Sequence, residues 1–213
     1  MKRTILALLA VASLPLAAPA QDRVSDYDVT NLYFRGAGMM VYAALPARSE
    51  VVPAVQLRVD LGEVAPSLRV VPAVTYWSSE YRESELDEVA RRVEALCERG
   101  GSPCPGIDLG DVRISDLSLE VDAQYLWTTS VGFEPYTGAG VGLHLLNGSG
   151  DLIRETFVED ILDGITPGVN VHAGVELPLG ALRLHGELRG TLAGSASWLG
   201  AGLGGVWHVA GGR

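Results

Sequence analysis

Lysine is all but missing from this chain. Lys2 is the only one among 213 residues, and arginine supplies every other formal positive charge. Lys2 and Arg3 open an amino-terminal export signal. Without those two, 14 of the 16 bases face 26 acids, a net charge of −12. Such a chain repels phosphate backbones and has no basic patch to overcome that repulsion, which excludes nucleic-acid binding. A polar complement built on arginine alone instead suits planar, bidentate pairing with carboxylates. Cysteine is scarce too: Cys97 and Cys104 are the only two, too few for a disulfide-dense scaffold. With no histidine nearby they fall short of a tetrahedral metal set. In an exported chain the pair is expected to form a loop disulfide.

Long apolar runs are also lacking. Ile5 to Leu16 is short for a membrane span, and Ala18-Pro19-Ala20 follows it as a small-residue cleavage motif. Residues 1–20 are therefore read as a signal peptide cut before Gln21, and 21–33 as a polar lead-in. Residues 191–212 hold no formally charged side chain but contain seven glycines, too many for a stable helix. There, Leu199, Ala201, Leu203, Trp207 and Val209 keep a period of two, broken at Gly205, so a strand is expected.

That period is what the chain has in abundance. In residues 133–145, Ala139, Val141, Leu143 and Leu145 alternate with Glu134, Tyr136, Gly138, Gly140, Gly142 and His144. Successive strand side chains point to opposite faces, so one face is apolar and the other polar. Strands are expected near 34–44, 51–61, 67–78, 113–127, 133–146, 166–178, 181–192 and 197–209. Each is long enough for a tilted membrane strand of about 9–11 residues. Tight turns at 62–66, 128–132 and 179–180 oppose long, charged connections at 79–112 and 147–165, with shorter ones at 45–50 and 193–196. Short turns on the periplasmic side and longer loops outside are the habit of outer-membrane barrels.

Alternation does not by itself say which face meets lipid, since a soluble barrel of lipocalin type alternates with its apolar side inward. Three features favour lipid outside. Gly138, Gly140, Gly142, Gly200, Gly202 and Gly204 share the polar face, where glycine makes room for large lumen neighbours. The same face carries charges of both signs: Arg58, Asp60, Arg69, Glu120, Asp122, Glu134, Glu176, Arg183, Glu187 and Arg189. Aromatics cluster in two tiers, with Tyr33, Phe34, Tyr125, Trp127, Phe133 and Trp207 near the turns. Tyr42, Tyr76, Trp77 and Trp198 lie near the loops and are expected to form a second interfacial girdle.

On these features residues 34–209 resemble the small eight-stranded outer-membrane barrels of the OmpA, OmpX and OmpW kind. The expected fold is all-β: an eight-stranded antiparallel transmembrane β-barrel with one short helix in the long loop 79–112. The resemblance implies an outer-membrane location, contact with outer-membrane lipid and lipopolysaccharide, insertion by the barrel assembly machinery, and a monomer. Such barrels usually end on an aromatic residue that the machinery reads. Here the last aromatic is Trp207, so either Trp207 and Val209 supply a shifted signal or the assembly route is a less typical one.

No site motif emerges. The ten charged polar-face residues are expected to fill the lumen as a salt-bridge network, since an eight-stranded interior is only just wide enough for side chains. His144, His172, His185 and His208 fall on the lumen parity. A two-residue turn at Leu179-Gly180 would pair Glu176 with Arg183 and His172 with Glu187. A His172–His185–Glu187 metal site is conceivable on that register, but a solvated or hydrogen-bonded role is preferred, and no metal or cofactor is expected. The lipid A deacylase family carries a His-x-Ser pair that His144-Leu145-Leu146 lacks, and Ser84, Ser115, Ser118 and Ser149 have no histidine paired in sequence. No catalytic residue is assigned. Residues 84–99 carry one apolar helical stripe, with Ser84 and Asp87 approximating a capping box, and are expected to form a helix stapled by the disulfide. The functional expectation is a structural or surface-interaction barrel. A narrow channel or solute pocket is the alternative, favoured if the glycine stretch 138–142 leaves a cavity; a lipid-modifying enzyme stands third.

Overall fold

A computed structural model of the chain describes residues 28–82, 84–87, 91, 95, 99, 111–150 and 163–209. The strands are β1 (Gly36–Pro46), β2 (Val52–Asp60), β3 (Glu63–Ala65), β4 (Leu68–Glu80), β5 (Arg113–Leu126), β6 (Glu134–Ser149), β7 (Gly164–Leu179), β8 (Leu182–Leu192) and β9 (Trp198–His208). Apart from β2 and β3, neighbours in sequence pair antiparallel; β2 pairs with β4 and β1 with β9, so the sheet closes on itself. The short β3 continues β2 past a kink and pairs with the same strand, β4. The result is eight staves. Gly62 adopts φ +84 at the kink, where its amide donates to Asp60 Oδ1 at 2.7 Å. Such a backbone conformation favours glycine, which has no Cβ to clash.

Every stave sends apolar side chains outward: Val41, Leu57, Tyr76, Leu119, Val141, Val171, Leu188 and Leu203 are all well exposed. Charged side chains meanwhile occupy the interior, where Arg58, Glu120, Asp122, Glu187 and Arg189 are buried. This is a water-soluble protein turned inside out. An apolar belt encircling the molecule far exceeds the patches that soluble monomers tolerate, and it fits a hydrocarbon surrounding. Among the described residues no helix is long and apolar enough to cross a membrane. The crossing is made by strands, which satisfy every backbone group through their neighbours.

Two sequence expectations need correction. The β7–β8 turn is Gly180-Ala181, not Leu179-Gly180: Leu179 pairs with Leu182, Glu176 with His185, Pro178 with Arg183 and His172 with Arg189. Gly180 takes φ +68, and two-residue turns of the type II′ kind put glycine first. A turn beginning at Leu179 would have forced a γ-branched residue into that position. The second concerns the loop-side girdle. Tyr76 does face outward, but Tyr42, Trp77 and Trp198 are buried inside the barrel. Their position along the pleat, not their height, decides which face they take. The turn-side tier does lie outside, with Phe34, Trp127, Phe133 and Trp207 exposed.

In the long connection after β4, residues 84–87 are helical, as are 91, 95 and 99. The remainder of the expected helix, the signal peptide and both cysteines of the expected Cys97–Cys104 disulfide lie outside the described residues.

Candidate functional site

The lumen has three storeys. Nearest the long loops, Met40, Tyr42, Trp77, Ile114, Leu146 and Trp198 pack into an apolar plug. Tyr42 stands edge-on to Trp198 with ring centroids 5.5 Å apart. Large side chains fit here because β9 alongside them is stripped of its own at alternate positions. A Cβ on Gly202 would run into the Tyr42 ring, one on Gly204 into Met40, and one on Gly200 into Trp198.

Below the plug lies a buried charge network centred on Glu187. Its carboxylate accepts from Tyr42 Oη at 2.7 Å, Tyr136 Oη at 2.8 Å, Arg58 Nη2 at 3.1 Å and Arg189 Nε at 3.2 Å. Arg189 then spreads its fork: Nη1 donates to Glu120 at 3.3 Å and Nη2 to Asp122. Glu120 also accepts from Thr75 Oγ1 at 3.1 Å. Taking such charges out of water is expensive unless each is paired and hydrogen-bonded, and here nearly every charge is.

The histidines are absorbed into this network rather than gathered. Arg69 donates to Gln124 Oε1 at 2.8 Å, so the Gln124 amide nitrogen donates to His172 Nε2 at 3.1 Å. His172 Nδ1 consequently carries the proton given to Asn170 Oδ1, and Asn170 Nδ2 donates to Asp122 at 2.9 Å. These donor and acceptor roles make the imidazole neutral. His185 lies 3.8 Å from Glu176, with both ring nitrogens unpartnered among the described residues. Tyr136 sets its ring edge-on to His172 and to His185, at 6.3 and 5.9 Å between centroids. With a tyrosine so placed and the register moved, His172, His185 and Glu187 do not form a metal set. No group of three suitable donors occurs among the described residues.

The sequence reading overlooked Asp116, which is buried and bonded to His144 Nδ1 at 2.8 Å. Ser118 stands directly across from His144 in the β5–β6 ladder, so serine, histidine and aspartate are neighbours in space. They do not make a nucleophile pair. Ser118 Oγ has no hydrogen-bond partner among the described residues, and His144 Nε2 lies instead over Gly168. Nucleophilic catalysis requires a base in reach of the hydroxyl.

The glycine stretch of β6 leaves no cavity. A Cβ on Gly138 would meet His172, one on Gly140 would meet Asp122 and Asn170, and one on Gly142 would meet Glu120. Among the described residues, open space appears in the third storey, at the turn end, as a vestibule of about 220 Å³. Asp60 and Arg69 line it, with Arg69 at 3.5 Å from Asp60 and 2.9 Å from Glu176, which is fully buried behind the lining. Arg183 bonds both Glu176 and, at 3.3 Å, Glu134, the least buried acid of the set. The side chains expected in one network thus divide. Arg58, Glu120, Asp122, Glu187 and Arg189 meet in the middle, whereas Asp60, Arg69, Glu134, Glu176 and Arg183 meet at the turn end.

No family model matches the sequence, and no curated protein matches it. Solved structures do. Neisserial surface protein A superposes with a TM-score of 0.50 at 14% identity, covering 81% of this chain and 94% of that one. A major outer membrane protein from Thermus thermophilus gives 0.47 at 12% identity, covering 81% and 99%. The N-terminal β-barrel domain of Pseudomonas aeruginosa OprF gives 0.43 at 15%, covering 83% and 98%. At such identity the likeness is one of fold. With its eight closed antiparallel staves and apolar exterior, the chain has the fold of the small outer-membrane β-barrels.

Proposed function

We propose that this chain is exported, loses residues 1–20 and resides in an outer membrane as a monomeric barrel without enzymatic activity. There it would contact lipid and lipopolysaccharide, placed by the barrel assembly machinery, with a structural or surface-interaction role. The observation that carries this reading is the filled lumen. Among the described residues an apolar plug lies above a paired charge network, which supports a rigid stave-work for the two long loops rather than a conduit. Loops on a rigid scaffold are where binding surfaces concentrate. By the length rule for such barrels, 81–112 and 150–163 face outward and the turns at 127–133 and 180–181 face the periplasm.

Two measurements test this. Membrane fractionation with heat-modifiable gel mobility should place the chain in the outer membrane as a folded barrel, and purified protein in planar bilayers should show no stable conductance. Steady single-channel steps would overturn the filled-lumen reading. Protease added to intact cells should cut within 81–112 or 150–163; cleavage confined to 127–133 would reverse the orientation.

A further inference from the structure

The vestibule at the turn end is built differently from the network above it. Two ion pairs stand on opposite sides of the closed sheet: Arg35 and Glu63 at 3.4 Å beside β1 and β3, and Arg183 and Glu134 at 3.3 Å on β8 and β6. Their side chains are between 28% and 42% exposed, and ion pairs this wet are held weakly. Two groups bordering the recess are unsatisfied as well. Arg35 Nε has no hydrogen-bond partner, and His208 Nε2 sits 3.1 Å from Asp60 without hydrogen-bonding geometry. Asp60 and Arg69, both buried, line the recess on its inner side.

Each wall therefore offers a planar guanidinium donor and a carboxylate acceptor. A bare anion entering here would face Asp60, Glu63 and Glu134, and a bare cation would face Arg35, Arg69 and Arg183. A molecule carrying both charges satisfies both. Arg183 is committed to the buried Glu176, whereas Arg35 holds Glu63 loosely through Nη1, so a carboxylate fits best on the Arg35 guanidinium. The opposite group is then an ammonium on Glu134, whose ion pair with Arg183 runs through one oxygen, Oε2. The volume, about 220 Å³, is below that of pockets for drug-sized molecules and admits one amino acid or the end of a short peptide.

We propose that the turn-end vestibule binds a small zwitterion, with its carboxylate on Arg35 and its ammonium on Glu134. This binding requires neither a pore nor any particular role for the outer loops.

The full chain, folded in detergent micelles, can be titrated by NMR with glycylglycine, N-acetylglycine and glycinamide. Saturable shifts are expected for glycylglycine at Arg35, Thr128, Glu134 and His208, with each singly charged probe binding about tenfold or more weakly, a difference of about 1.4 kcal/mol. Glu134→Gln should bring glycylglycine down to the affinity of N-acetylglycine. Arg35→Gln should bring it down to that of glycinamide, a complementary loss that stands even if one variant fails to fold. Equal affinity for all three probes, shifts confined to the plug end, or no saturable shift would each overturn the proposal. Conductance in planar bilayers bears on the filled lumen alone, so the two readings fail separately.

Discussion

The two ends of the lumen occupy the same pleat parity of the same strands, yet one is filled with rings and the other with ion pairs. Near the loops, Trp77 and Trp198 close the barrel by packing; toward the turns, Arg58, Arg69, Arg183 and Arg189 close it by pairing with acids. Tyr42 joins the two, its ring against Trp198 and its hydroxyl on Glu187. The difference is one of tolerance. A ring can be trimmed at the cost of a void, whereas removing one charge strands its partners in a dry site. Dryness differs as well: among the described lumen ion pairs, those at the turn end are the wettest.

The largest expected effect comes from cutting the network at its branch point. Arg189→Ala leaves Glu120, Asp122 and Glu187 facing one another with one cation fewer, and each of these side chains is essentially inaccessible. Breaking a buried pair this way costs about 3–5 kcal/mol, and here three acids share the loss. The unfolding midpoint of the barrel in urea should fall accordingly, and a midpoint within error of the parent would mean that water reaches the middle storey.

Trp77→Ala tests the other storey. Truncating a buried tryptophan costs about 3–5 kcal/mol in transfer and cavity terms, at the low end where neighbours collapse into the gap. Tyr42 and Ile114 belong to the same plug and can lean in, so about 3 kcal/mol is expected. The same urea transition reads it. A loss exceeding that of Arg189→Ala would invert the comparison and make packing, not pairing, the dominant lumen term.

How much of this was legible beforehand divides along the same line. The strands were, because alternation in segments such as Ala139–Leu145 has one reading on a pleated sheet. So was the polar identity of the interior. Parity would also have exposed Asp116, Ser118 and Gln124, which share the phase of Glu120 and Asp122 on β5, and Gln56, which shares that of Arg58. Tyr42, Trp77 and Trp198 were misplaced because height along the barrel outweighed parity, a choice the pleat does not permit. What no local pattern carries is contact across the lumen. Arg58 meets Glu187 from 129 residues away, and which levels face each other depends on strand tilt and stagger around the closed sheet. The β7–β8 register had a local signal, the glycine-first turn at Gly180, and it shifted which acid faces which histidine.

A smaller effect separates glycines that hold the lumen open for neighbours from those that face lipid. At Gly140 a Cβ would press on Asp122, lie 2.7 Å from Asn170 Nδ2 and 2.8 Å from the carbonyl of Val121. At Gly186 the nearest atom is Leu203 Cδ2 at 3.5 Å, an ordinary contact on the outer face. Gly140→Ala should therefore lower stability by about 1–3 kcal/mol through overpacking, and Gly186→Ala should leave it nearly unchanged. Equal losses would mean that strand propensity rather than lumen crowding sets the glycine pattern.

The smallest effect is expected where the network reaches water. Arg183→Ala removes a partner from Glu176, which is wholly buried, and that alone argues for a large cost. Two features reduce it. Arg69 remains 2.9 Å from Glu176, so the acid keeps a buried cation. The Arg183 side chain is 28% exposed beside an open vestibule, so solvent can enter the vacated space and hydrate both Glu176 and Glu134. The loss should be about 1 kcal/mol, near that of a wet ion pair. Combining Arg183→Ala with Arg69→Ala should then cost far more than the sum of the single losses, because Glu176 would be left with neither cation. Such non-additivity is the mark of residues sharing one partner. A double-mutant cycle on the urea midpoints measures it, and simple additivity would show that Glu176 draws its stability from elsewhere, with His185 the remaining neighbour at 3.8 Å.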